Sequence, residues 1–227
     1  MKPLMRIFLP VMLGLLVVVG VPLSAAALVY TPIPFHYNGF HDGAGDTSTP
    51  AGDVTLGGVP FSIPESPANN TWYSSVLSGD GTNPLTIPVN IYGVQEVDTL
   101  IVTQWGASGS QTVKLEFFGD RGAYSSKVLV GDTDIRDWLN GDYTHYINGT
   151  TTINVYTGPS PGFQYRAHYI DKQRIDLGWD FAHQTLTQII LTDTGADYSQ
   201  RAFLYGVTVG AVSQVSQSGA ALLLLLE

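Results

Sequence analysis

No cysteine occurs anywhere in the 227 residues, which excludes both a disulfide framework and thiol chemistry. Charge is sparse as well: Asp, Glu, Lys and Arg make up 13% of the chain, against 44% hydrophobic residues. That balance is unlike a disordered chain's and supplies enough apolar material for one globular core. Lys and Arg are scarcer than Asp and Glu, ten against nineteen, and no basic stretch is interleaved with aromatics. A surface of that sign repels phosphate backbones and speaks against a nucleic-acid partner. Helical periodicity is missing beyond the first segment, and no internal repeat is present, which sets aside bundles, propellers and solenoids.

Catalytic signatures are also missing. The nearest approach to a Gly-x-Ser-x-Gly elbow, "GASGS" at 106 to 110, fails at its last position. The five histidines, 36, 41, 145, 168 and 183, are scattered and form no His-Glu-x-x-His pattern for zinc. Glutamate occurs only at 65, 96, 116 and 227, and no two of these sit in an evident cleft-forming context of the kind glycosidase chemistry needs. The chain is therefore not expected to be an enzyme.

Among the features present, the N-terminus comes first. Lys2 and Arg6 precede an apolar run from Ile7 to Val19 and a small-residue ending, "PLSAAA", the pattern of an export segment over residues 1–27 cleaved near Ala27. The apolar run is short for a membrane span. The mature chain is thus expected to be secreted, extracellular or periplasmic, without a stable membrane span. It keeps eight basic against all nineteen acidic residues.

Residues 28–210 read as one β domain. "DTLIVTQWG" (98 to 106), "QTVKLEFFG" (111 to 119), "TTINVYTG" (151 to 158), "TLTQIILTD" (185 to 193) and "RAFLYGVTVG" (201 to 210) are rich in β-branched and aromatic residues and bounded by turn formers. Val113, Leu115 and Phe117 alternate with Thr112, Lys114 and Glu116, the period of a strand with one buried face. "VTLGGVPFSIP" (54 to 64) reads as a hairpin around Gly57-Gly58. Short helices are expected only at "DIRDWLN" (134 to 140) and "DFAHQT" (180 to 185), each opened by a potential Asp cap. Regularly spaced strands punctuated by 25 Gly and 13 Pro predict an all-β fold, an antiparallel β-sandwich or jelly roll. Residues 211–227 form a polar linker and a short apolar tail.

"GDTDIRDWLNGDY" (131 to 143) gathers Asp132, Asp134, Asp137 and Asp142 around Arg136 and Trp138. Counted from Asp132, the fifth and sixth EF-hand positions are Arg136 and Asp137, so that calcium motif fails. A forked pairing of Arg136 with Asp134 or Asp137 is the expected use of these charges. Direct contact of Arg136, Asp137 and Trp138 with a sugar is the alternative. Calcium fits better in "HDGAGDTSTPAGD", where Asp42, Asp46 and Asp53 stand among glycines with no basic residue, offering the hard oxygens that calcium takes. Sugar faces stack on exposed indoles while their hydroxyls find Asp, Asn and Arg. Of the four tryptophans, Trp72 and Trp138 follow polar loop residues and are the better candidates for such contact; Trp105 and Trp179 are not.

The "GVPF" hairpin, the "VDTLIVTQWG" strand, the acidic "IRDW" segment and the closing "FLYGVTV" strand resemble the galactose-binding-domain-like β-sandwich modules of exported bacterial proteins, over about residues 29 to 210. The resemblance implies an antiparallel jelly roll of eight or so strands, often non-catalytic, that binds carbohydrate with loops at one end and keeps a structural calcium ion. The expected function is that of a secreted carbohydrate-binding module. A structural or adhesive cell-surface protein is the alternative, and a small exported hydrolase is a third.

Overall fold

A computed structural model describes residues 27–38, 49–66, 70–74, 84–139, 143–160, 163–195 and 200–213. Twelve strands and one short helix follow one another as β1 (Leu28–Pro32), β2 (Gly52–Leu56), β3 (Val59–Ile63), β4 (Trp72–Tyr73), β5 (Leu85–Tyr92), β6 (Val94–Gln104), β7 (Val113–Gly119), β8 (Tyr124–Leu129), β9 (Thr152–Ser160), β10 (Phe163–Asp176), α1 (Trp179–Ala182), β11 (Thr185–Asp193) and β12 (Arg201–Val212). One sheet has the order β1-β12-β6-β10-β9, with β4 also on β12; a second has β5-β11-β7-β8; β2 and β3 form a separate ribbon. All their strand pairings are antiparallel. The protein is thus the expected all-β, antiparallel sandwich.

The two large sheets enclose the main core. Val97 and Ile101 of β6 and Leu204, Val207 and Val209 of β12 meet Leu115 and Phe117 of β7 and Ile189 and Leu191 of β11. The predicted alternation of β7 holds, with Val113, Leu115 and Phe117 inward. Truncating Phe117 to Ala would open a cavity costing about 3–5 kcal/mol.

The outer face of the six-stranded sheet carries a second core. The β2–β3 ribbon lays Val59, Phe61 and Ile63 over Leu100 and Val102 of β6, Ile170 of β10, and Phe203 and Tyr205 of β12. β6 is therefore apolar on both faces over much of its length, as central strands covered on two sides are. The ribbon's turn is Gly57-Gly58, both at positive φ, +58° and +79°, the conformation that makes Gly-Gly a hairpin signal. A Cβ on Gly57 would also stand 2.7 Å from Val155 Cγ1.

Two expectations need correction. Residues 134–139 form no helix but turns and isolated bridges, Thr103 to Asp137 and Leu139 to His168. The Asp134 and Asp137 carboxylates take backbone N–H groups for themselves, in the way that draws Asp out of helices. The second helix exists as α1 but begins at Trp179 after Gly178, without a side-chain cap. The export segment up to residue 26, Asp42, Asp46, Asp142 and the tail beyond residue 213 lie outside the described residues. Among the described residues no helix is long and apolar enough to cross a membrane.

Candidate functional site

The stretch from Gly131 to Trp138 is a buried clamp between strands. Arg136 sends Nε and Nη2 to Asp171 Oδ2 and Oδ1 on β10, 2.7 Å each, while its guanidinium lies 3.9 Å from the centre of the Tyr169 ring. The fork predicted for Arg136 is therefore real, but its partner is Asp171, thirty-five residues away, and neither Asp134 nor Asp137. Asp137 accepts the N–H groups of Trp105 (2.7 Å) and Leu139 (2.9 Å), which holds Trp105 at its positive φ of 55°. Asp134 pairs with Lys127 at 3.0 Å. Asp132 accepts from the backbone N–H of His145 and Tyr146. Burial opposes its ionisation, yet these two bonds together with the Ser108 side chain and the charge of nearby His145 hold its carboxyl below the usual range. Asn148 ties off the following loop: its Oδ1 accepts the N–H of Thr150, Thr151 and Thr152 at 2.9, 2.9 and 3.0 Å. Its Nδ2 donates to Asp134 Oδ1 and Thr151 Oγ1.

The four ligand-contact candidates are accordingly structural in position. Trp138 is 2% exposed, edge-on to His168 and Phe203. Trp72 is 3% exposed in the main core, and Arg136 and Asp137 are buried. A sugar needs an open ring face, and neither indole offers one. Of the calcium candidates, Asp53 stands exposed on β2, while Asp42 and Asp46 lie outside the described residues. Among the described residues no group of three or more His, Asp or Glu is placed to hold a metal ion.

The open site lies elsewhere, at the end of the outer face that the ribbon leaves uncovered. Glu96 and Asp98, two apart on β6, point the same way as Leu100 and Val102 but meet charge in place of hydrocarbon. β10 pairs Arg174 with Asp98 and Lys172 with Leu100 in register, which brings Arg174 Nη2 to 2.6 Å from Glu96 Oε2 and Lys172 Nζ to 3.2 Å from Asp98 Oδ1. Tyr30 on β1 donates its hydroxyl to Glu96 Oε1 at 2.9 Å. Lys172 also donates to Gly57 O at 3.1 Å, tying the ribbon's turn to the charged cluster. Glu96 Oε2 and both Asp98 oxygens are buried with no aligned hydrogen bond, so these contacts are ion pairs by distance alone. Burial, then the neighbouring Glu96 carboxyl, pushes Asp98 from 3.8 up to about 7, against the pull of Lys172. Burial and the bond to Glu96 push the Tyr30 hydroxyl up to about 12.

Glu96 and Arg174 open into a cleft of about 410 Å³ whose remaining walls include Asp176 and Trp179. Gly178 makes this possible: at φ +76°, with open space where a Cβ would be, it turns the chain outward just before the tryptophan. Trp179 is 75% exposed and braced edge-on by His183, ring centres 4.3 Å apart. Arg174 spans the cleft wall, its Nε also 3.1 Å from Asp176 Oδ1. The arrangement provides an indole face, carboxylate acceptors and guanidinium donors around a space of ligand size. Sequence reasoning passed over this tryptophan because "DLGWDF" reads as strand end and helix start. The available signal was Gly178 before it, with "EVD" at 96 to 98 and "KQR" at 172 to 174 repeating opposite charges at strand spacing. Compared with known proteins, the chain matches no family model and no curated protein.

Proposed function

We propose that the protein is an exported, non-catalytic carbohydrate-binding module of the galactose-binding-like kind, and that it holds its ligand in the cleft between β6, β10 and α1. The observation that carries this reading is Trp179, a large indole held out at the rim of a cleft lined by Glu96, Arg174 and Asp176. Pyranose C–H faces are the partners that exposed indoles take beside polar side chains in a cleft. The raised Asp98 carboxyl does not argue for hydrolysis: its side chain is fully buried, and a general acid must reach the substrate oxygen. A glycan array on the mature chain tests the reading. Binding that disappears in Trp179→Ala, with the fold intact by circular dichroism, supports it; a blank array, or binding unchanged by that substitution, refutes it.

A structural calcium ion is a separate part of the proposal, resting on the donor chemistry of Asp42, Asp46 and Asp53. A ligand bound only by the folded chain raises its melting temperature. The protein should therefore melt higher in millimolar calcium than in chelator, and coincident melting curves would remove the ion.

A further inference from the structure

The cleft is uneven in charge. Glu96 and Asp176 contribute two carboxylates and Arg174 one guanidinium, which both carboxylates already engage, at 2.6 Å and 3.1 Å. One negative charge is left over at the mouth, where the Asp176 side chain is 70% exposed. Asp98 lies behind Glu96 with Lys172 as its partner, so that pair adds nothing net above about pH 7, where Asp98 is ionised. Asp180, exposed beside Trp179 on α1, adds a further negative charge at the rim. Glu96 Oε2 is buried without an aligned hydrogen bond although Arg174 stands beside it, so the cleft wall keeps an acceptor that no donor of the chain fills well. The titration of Arg174 agrees in sign: burial opposes its charge, but Asp176, Glu96 and Asp98 together hold its pKa above the ordinary value.

An aromatic face beside surplus carboxylate is the arrangement that attracts cations, since indole is the best of the side-chain rings for a cation and the carboxylates add a directional charge. We propose that the cleft selects saccharides bearing an ammonium group, that is, amino sugars without their N-acyl cap, over neutral or acidic ones. The sugar ring stacks on Trp179 and its ammonium lies toward Asp176 at the mouth, with Glu96 adding its charge from behind. An acyl cap removes the charge and two of the three donors, and a uronate brings a like charge to the carboxylates. This inference rests on the saccharide reading of the cleft.

The test compares tetramers of glucosamine and of N-acetylglucosamine by titration calorimetry on the mature chain at about pH 5.5, where the free amine is protonated. It is repeated at about pH 8 with a fully N-trimethylated tetramer, so that a change in the protonation of Asp98 cannot imitate the result. The cationic tetramers should bind about ten-fold or more tightly than the acetylated one, and raised salt should erode the difference. Asp176→Asn should bring the two affinities together, and Trp179→Ala should abolish both. Equal affinities, or tighter binding of the acetylated tetramer, overturn the charge selectivity and leave the saccharide reading standing. If no tetramer binds, the inference falls, and the glycan array separately decides the wider reading.

Discussion

Two arginine–carboxylate pairs are anchored on β10 within four residues of each other, and the chain treats them in opposite ways. Arg136 reaches Asp171 through a two-bond fork, lies against the Tyr169 ring and is sealed by neighbours on all sides. Arg174 meets Glu96 by distance and gives Asp176 a single hydrogen bond, with half of its side chain in solvent. Such pairs are weak grounds for stability in general, but a closed one is expensive to break, because removing one partner leaves a buried charge alone. An open one costs little to disturb and is free to exchange partners with a ligand. What separates the two is cover and not residue type.

Breaking the closed pair should have the largest effect. Arg136→Ala strands Asp171, whose other side-chain contact is the Asn154 amide, and should cost about 3–5 kcal/mol in urea unfolding. Arg136→Ala with a loss below about 1 kcal/mol would show that the pair behaves as an exposed one and would erase the contrast.

The charged end of β6 gives the next effect, through pH. Asp98 titrates near 7 in the folded chain and near 3.8 when unfolded, so between those values the folded state holds the extra proton. Stability therefore falls as pH rises from about 4 to about 7 and levels off above, at up to about 1.4 kcal/mol per pH unit from this group. Asp98→Asn should flatten that part of the stability profile. A mutant profile parallel to the wild type across the window would mean that Asp98 ionises as an ordinary surface acid.

At the open pair and its tryptophan the expected stability change is smallest. Trp179→Ala should alter unfolding free energy by less than about 0.5 kcal/mol, as substitutions away from packed features do, while removing saccharide binding. Loss of several degrees in melting temperature would place the indole among packing residues and make the cleft a structural groove.

Much of the scaffold was legible because its signals are local. Val113, Leu115 and Phe117 declare a buried face by alternation, and Gly57-Gly58 declares a turn by the φ values that only glycine takes easily. β10 was not legible, though it is the longest strand: "YIDKQRID" looks solvated, and its charges become buried only through β6 and the ribbon, partners far away in sequence. The same distance hid the roles of the tryptophans. Trp138 looked like a ligand platform beside Arg136 and Asp137, yet those neighbours are themselves buried by Asp171 and the Trp105 amide. Trp179 in "DLGWDF" ranked below Trp72 and Trp138 as a ligand contact, and one left-handed glycine turned it out to solvent. The sites proposed from sequence rested on polar neighbours, and polarity of neighbours does not measure exposure when ion pairs are folded in.

The knot at Asn148 has a practical consequence. Asn148-Gly149-Thr150 is an acceptor sequence for N-linked glycosylation, but the nitrogen that would carry the glycan is the Nδ2 that donates to Asp134 and Thr151, and the oxygen beside it gathers three successive backbone amides. A eukaryotic secretory host that modified the nascent chain there would deny the loop its clasp before the sandwich closed. Removing the acceptor sequence at Thr150, whose hydroxyl contributes a single bond to Asn148, keeps the clasp; removing it at Asn148 destroys what the substitution was meant to protect.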